Sequence, residues 1–192
     1  MNDDIRDRLE EAERTFEGSP GTIEEGLDVD DAELVQLRRA CRLLEVGSTL
    51  LDQGYYTVVI ESAFVAIERT IQFRLIHDGA MSAAEVVSSH RRLYQRGAEI
   101  GLYDDAFGED LAELWNRNRT KTYYRLGIAT KEQAEAMYRL ADDIHRDLVD
   151  MTRVSHEPLP EVTDRYSAAE DVIELLRRCL FHDPETDSTV RA

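Results

Sequence analysis

The sequence predicts an all-α fold: an up-down helical bundle with one extra helix at each end. Three observations carry that expectation. Apolar residues recur at steps of three and four through every long segment, the spacing that lays one stripe along a helix. Glycine-centred breakers divide those segments at Gly18-Ser19-Pro20-Gly21, Gly54, Asp78-Gly79 and Gly101. No segment alternates apolar and polar residues as a half-buried strand does.

The elements follow in chain order. Residues 2–17 form a polar helix that stops at the Gly18–Gly21 cluster. The next helix begins at Asp30, with Glu33 three residues on as a capping-box variant. It carries Leu34, Leu37, Cys41, Leu44 and Leu51 on one face. After Asp52-Gln53-Gly54 a third helix runs from Tyr55 to about His77 through Val59, Ala63, Ala66, Ile67, Ile71 and Leu75. Val58, Val59 and Ile60 suit a strand, but the helical spacing continues too long for one. Ser82-Ala83-Ala84-Glu85 reads as a capping box opening a short helix through His90 toward Ile100. Residues 105–118 make a further helix through Phe107, Leu111, Leu114 and Trp115. Thr130 and Gln133 cap a long helix whose Ala134, Met137, Ala141, Ile144, Leu148 and Met151 repeat like a heptad seam. Pro158 and Pro160 form a linker, and Ser167-Ala168-Ala169-Glu170 opens a last helix. The predicted organisation is an acidic helix and linker over 1–24, a bundle over 28–155, a helix over 160–181 and a flexible tail over 182–192.

With 192 residues, of which 42% are hydrophobic, the chain is long and apolar enough to bury a core, which excludes a wholly disordered protein. The net charge of −17 is extreme, and lysine occurs only at positions 121 and 131. Such a surface suits a halophilic cytoplasm, where salt screens repulsion between carboxylates. Global acidity then argues little against a local arginine cluster that meets RNA. A charged start at Met1-Asn2-Asp3-Asp4 predicts no signal peptide, and no apolar run reaches membrane-spanning length, so a cytoplasmic location is expected. Cys41 and Cys179 lie on apolar helical faces and read as free, buried small hydrophobes rather than a disulfide or metal site. No glycine-rich phosphate loop, H-E-x-x-H, Cys-x-x-Cys or G-x-S-x-G pattern occurs. No metal or cofactor is expected.

One stretch breaks the leucine and alanine pattern. Arg117, Arg119, Lys121 and Arg125 stand together with no carboxylate among them, interleaved with Trp115, Tyr123 and Tyr124. Two accounts are open. Guanidinium and ammonium groups next to aromatic rings suit phosphates and stacked bases. Equally, the cations serve as salt-bridge partners for the abundant carboxylates.

Around this stretch lie Leu50-Leu51-Asp52-Gln53-Gly54-Tyr55-Tyr56, then Ala63 and Ala66-Ile67-Glu68. His90-Arg91-Arg92-Leu93-Tyr94 and Gly97-Ala98-Glu99-Ile100-Gly101-Leu102 follow, then the motif Arg117-Asn118-Arg119-Thr120-Lys121-Thr122-Tyr123-Tyr124, and a long helix from Thr130. Their order and spacing resemble the HEPN family of helical proteins, often RNA-cleaving toxins, over roughly residues 32–155. Arg117, Asn118 and Tyr124 match that family's R-x-x-x-x-H-x-Y motif and its common Asn, but Thr122 stands at the position of its His.

The resemblance implies a homodimer whose motif helices line one cleft. It implies a catalytic set of Arg117, Asn118, Thr122 and Tyr124, with Trp115, Arg119, Lys121, Tyr123 and Arg125 as RNA-binding neighbours. In the family the Arg stabilises the scissile phosphate and the His exchanges a proton with the ribose 2′-hydroxyl. A threonine hydroxyl does not titrate near neutrality. The implied protein is therefore a candidate metal-independent endoribonuclease of a toxin–antitoxin or defence system, weakened or silenced. The alternative is a non-catalytic helical module that partners a nucleotidyltransferase or other defence protein, since in one branch of the family such an enzyme attaches AMP to the motif tyrosine. His90 and His145 are the imidazoles considered as substitutes, and nothing in the sequence places either near Arg117.

Overall fold

The computed structural model describes residues 3–18, 24, 27, 30–120 and 127–154. Among them are six helices and no strand: α1 Asp3–Glu17, α2 Ala32–Asp52, α3 Tyr56–His77, α4 His90–Glu99, α5 Asp105–Asn118 and α6 Lys131–Val154. The all-α expectation holds. The predicted helix over 160–181 and the tail lie outside the described residues.

At the centre is α3, which packs against α2, α4 and α6. That position explains its composition. Eleven of its residues are buried, from Val59 to Leu75, and a helix apolar on most of its circumference needs neighbours on most sides. The turn between α2 and α3 closes through Gly54 at φ 83°, a left-handed conformation that glycine adopts without a Cβ clash. A link this short makes the two helices antiparallel neighbours. The seam predicted on α6 is the buried one: Ala134, Met137, Ala141, Ile144 and Leu148 join the core with Ile67, Ile71 and Leu75.

Capping decides where the helices start. Asp31, one residue later than expected, caps α2 by accepting a hydrogen bond from the Glu33 amide at 3.1 Å. The Thr130–Gln133 box is present in both directions: the Gln133 amide donates to Thr130 Oγ1 at 3.3 Å and the Thr130 amide to Gln133 Oε1 at 3.1 Å. The predicted helix start at Ser82 is corrected. Residues 82–89 are not helical, and α4 starts at His90 with Ser89 as its cap. Glu85, which a capping box would turn back on its own helix start, instead pairs with Arg96.

Several polar side chains inside the bundle are hydrogen-bonded. Arg74, 5% exposed, donates to the Leu148 carbonyl at 2.8 Å and to Asp78 at 2.9 Å, tying α3 to α6. His145 is buried, with Nδ1 2.8 Å from Thr70 Oγ1 and Nε2 3.6 Å from Cys41 Sγ. Cys41 is disulfide-bonded, which corrects the expectation of a free thiol there. Periodicity places a cysteine on an apolar face but cannot tell a thiol from half of a disulfide. Cys179 lies outside the described residues.

Candidate functional site

A cluster of polar and aromatic groups gathers where α3, α4 and α5 meet. Asp104 starts α5 by accepting the Phe107 amide at 2.8 Å, and buried Leu111 and Ala112 hold the helix against the bundle. At about 100° per residue, Trp115, Asn118 and Arg119 fall on one side of the last turns and Arg117 on the other. The contacts follow that division.

On the inner side, Asn118 Nδ2 donates to Glu61 Oε1 at 2.9 Å, and Arg119 Nη2 lies 3.6 Å from Glu61 Oε2. The Arg119 guanidinium sits over the Trp115 ring, 5.2 Å from its centroid. The same ring stacks on His90, with centroids 4.0 Å apart and planes inclined by 26°. His90 Nδ1 pairs with the Glu68 carboxylate, which also accepts from the Tyr94 hydroxyl at 3.0 Å. On the outer side, Arg117 is 60% exposed and pairs with Glu113 at 3.0 Å, four residues back on the same helix.

These contacts have electrostatic consequences. A carboxylate only accepts, so Glu68 holds the His90 ring with its proton on Nδ1. In the neutral imidazole, Nε2 is then the basic nitrogen. Glu68 is 12% exposed while the His90 side chain is 40% exposed, so the carboxylate is fixed inside and the imidazole reaches solvent. Burial, with the Glu68 charge and hydrogen bond added, pushes the Tyr94 hydroxyl far above its ordinary range. Tyr94 therefore remains a donor to Glu68.

Of the residues singled out in the sequence, Trp115, Asn118 and Arg119 come together, while Arg117 faces away from them. Lys121, Thr122, Tyr123, Tyr124 and Arg125 lie outside the described residues. His90 joins the cluster. His145 does not, being enclosed by Thr70 and Cys41.

Glu61 was not anticipated from sequence, and Glu68 stood there only as the end of Ala66-Ile67-Glu68, with no role. They stand seven residues apart, two turns along one face of α3. Carboxylates in the most apolar helix of a chain need partners, because an unpaired buried charge is costly, and that was the available signal. Among the described residues no group of three or more His, Cys, Asp or Glu is arranged to hold a metal ion. None of their helices is long and apolar enough to cross a membrane.

Fold and cluster together define an all-helical domain that concentrates carboxylate, imidazole, indole and guanidinium groups at the junction of three helices. The chain belongs to the family described as a domain of unknown function, DUF8154, whose model matches residues 1–159. That match takes in α1 as well as the bundle. No curated protein and no solved structure matches the chain.

Proposed function

We propose that this chain is a HEPN-like RNA-binding protein whose metal-independent ribonuclease activity is weakened by the threonine at position 122. The observation that carries the reading is the last turn of α5. One side is anchored to α3 through Glu61, with Arg119 lying over Trp115, and the other side holds Arg117 out to solvent. A helix end fixed in this way leaves the Arg117 side chain, rather than the backbone that carries it, to be ordered when a phosphate arrives. The Arg117–Glu113 pair is exposed, so exchanging it for a phosphate costs little.

Anchoring also sorts the motif. Asn118 positions the helix end, Arg117 contacts phosphate, and Arg119 acts at the rim of the Trp115 ring. The basic stretch that continues beyond Thr120 adds charge for a backbone-tracking contact. The protein acts as a homodimer within a toxin–antitoxin or defence system in this reading.

RNA binding and cleavage by the purified protein in molar potassium chloride test the proposal, with wild type, Arg117→Ala and Thr122→His compared. Slow cleavage by wild type, its loss in Arg117→Ala and a gain in Thr122→His are the expected results. The gain lies within the roughly 100- to 10,000-fold that general acid–base catalysis supplies. An absence of RNA binding in all three, at about 0.1 M as well as at molar potassium chloride, sinks the proposal.

One observation favours the alternative, a non-catalytic interaction module that pairs with a nucleotidyltransferase or other defence protein. On α1, Ile5 and Leu9 are each 56% exposed and Phe16 is 92% exposed. They recur at helical spacing along an otherwise charged helix, a pattern suited to a partner's apolar groove.

A further inference from the structure

We infer that His90, held by Glu68 and stacked on Trp115, is the proton-transfer group of the RNA site and supplies the imidazole that position 122 lacks. The inference rests on the RNA-binding reading above and deepens it. Four features of the junction point to it.

The first is orientation. Glu68 pairs with Nδ1, which leaves Nε2 as the nitrogen that takes and returns a proton. The second is rigidity. Glu68 is held in turn by the Tyr94 hydroxyl at 3.0 Å, and the imidazole ring is braced by the indole at 4.0 Å. A catalytic base needs such a supporting shell to stay within a fraction of an ångström of its working place. The third is access, since the His90 side chain is 40% exposed on a carboxylate that is 12% exposed. The fourth is a cation on the same indole: Arg119 lies 5.2 Å from the Trp115 centroid, and a guanidinium that meets a phosphate stabilises the charge developing on it.

The chemistry balances without a metal or co-reactant. Nε2 of neutral His90 takes the proton of a ribose 2′-hydroxyl, and the 2′-oxygen forms a bond to the adjacent phosphorus. The bond from phosphorus to the 5′-oxygen breaks, and the imidazolium returns its proton to that oxygen. The products are a 2′,3′-cyclic phosphate end and a 5′-hydroxyl end. Arg119 meets the phosphate oxygens, and Arg117, on the far side of α5, serves the neighbouring backbone.

The test uses the full chain and a 5′-labelled RNA oligonucleotide in molar potassium chloride. RNA affinity, single-turnover cleavage and end-group chemistry are measured for wild type, His90→Ala, His90→Asn and Glu68→Gln. His90→Asn is informative because its amide keeps a donor for Glu68 while losing Nε2. Both His90 variants are expected to bind RNA as wild type does and to cleave about 100-fold more slowly or worse. Free imidazole is expected to restore cleavage in His90→Ala, and Glu68→Gln to slow cleavage with affinity unchanged.

Cleavage at the wild-type rate in both His90 variants overturns the inference. So does a loss of cleavage that imidazole does not rescue, which makes His90 an anchor for Trp115. Wild type that binds RNA without cutting it overturns this inference and leaves the RNA-binding part of the reading beneath it standing. Wild type that binds no RNA even at about 0.1 M potassium chloride overturns that reading.

Discussion

At the residue scale, the two histidines weighed from sequence have opposite fates. His90 stands at the first position of α4, half-exposed and paired. His145 is enclosed in the core, where burial first and the nearby Arg146 charge second push its pKa down from 6.5 to about 4. The folded chain therefore keeps this imidazole neutral, while the unfolded chain takes up a proton below about pH 6.5. Its stability contribution is complete above that value and is lost as the pH falls toward 4, about 3 kcal/mol in all. His77 has the opposite sign. Its hydrogen bond to Glu33 raises its pKa, so its smaller contribution is present at low pH and lost as the pH rises through the folded-state value. Urea unfolding at pH 7.5 and 4.5 is expected to show wild type losing more stability on acidification than His145→Gln. Equal losses in the two would refute a buried neutral His145. Sequence could not separate these histidines, because exposure depends on which helices cover each ring.

At the element scale, helix starts show how local chemistry misleads. Ser82 and Glu85 have the spacing of a capping box, yet the cap of α4 is Ser89, whose hydroxyl accepts the Arg92 amide at 3.2 Å. Glu85 pairs with Arg96, and Arg96 also reaches the Ala80 carbonyl. Long-range partners thus hold residues 82–89 in a non-helical path. Ser89→Ala is expected to cost about 1 kcal/mol in urea denaturation. Ser82→Ala is expected to stay within about 0.5 kcal/mol. A reversed order would show that the helix begins at the earlier serine. Where no competing partner intervenes, as at Thr130 and Gln133, the box predicted from sequence is the box that forms.

The α4–α5 junction shows a related effect. Gly97 leaves room for Tyr103, whose hydroxyl would lie 2.3 Å from an added Cβ and donates to the Tyr94 carbonyl at 2.9 Å. This close approach helps hold Tyr94 beside Glu68. A glycine inside a helix advertises a close contact in sequence, but not its partner.

At the scale of the whole molecule, a net charge of −17 on 192 residues sets the solution behaviour. Many ion pairs are exposed and local, such as Arg117–Glu113 and Arg139–Glu135, and contribute little each. The excess carboxylates repel one another, and salt screens that repulsion. The melting temperature is expected to rise from about 0.1 M to about 2 M potassium chloride. A fall over that range would show that ion pairing outweighs repulsion. The RNA binding proposed above is expected to respond in the opposite direction, weakening with salt as counterions compete for phosphates. The two trends separate the acidic shell from the basic site.

Sequence by itself determined the helical class, the break points at Gly54, Gly79 and Gly101, and the apolar seam of α6, because each follows from local spacing or from glycine's backbone freedom. It also marked the end of α5 as chemically unusual. Only the tertiary structure decided what that end touches. Glu61, Glu68 and His90 lie 25 to 58 residues away from Trp115, Asn118 and Arg119 along the chain, and no periodicity encodes which of them meet. That pairing arises when α3 is surrounded and its two carboxylates, partly buried by the packing, find donors on the neighbouring helices.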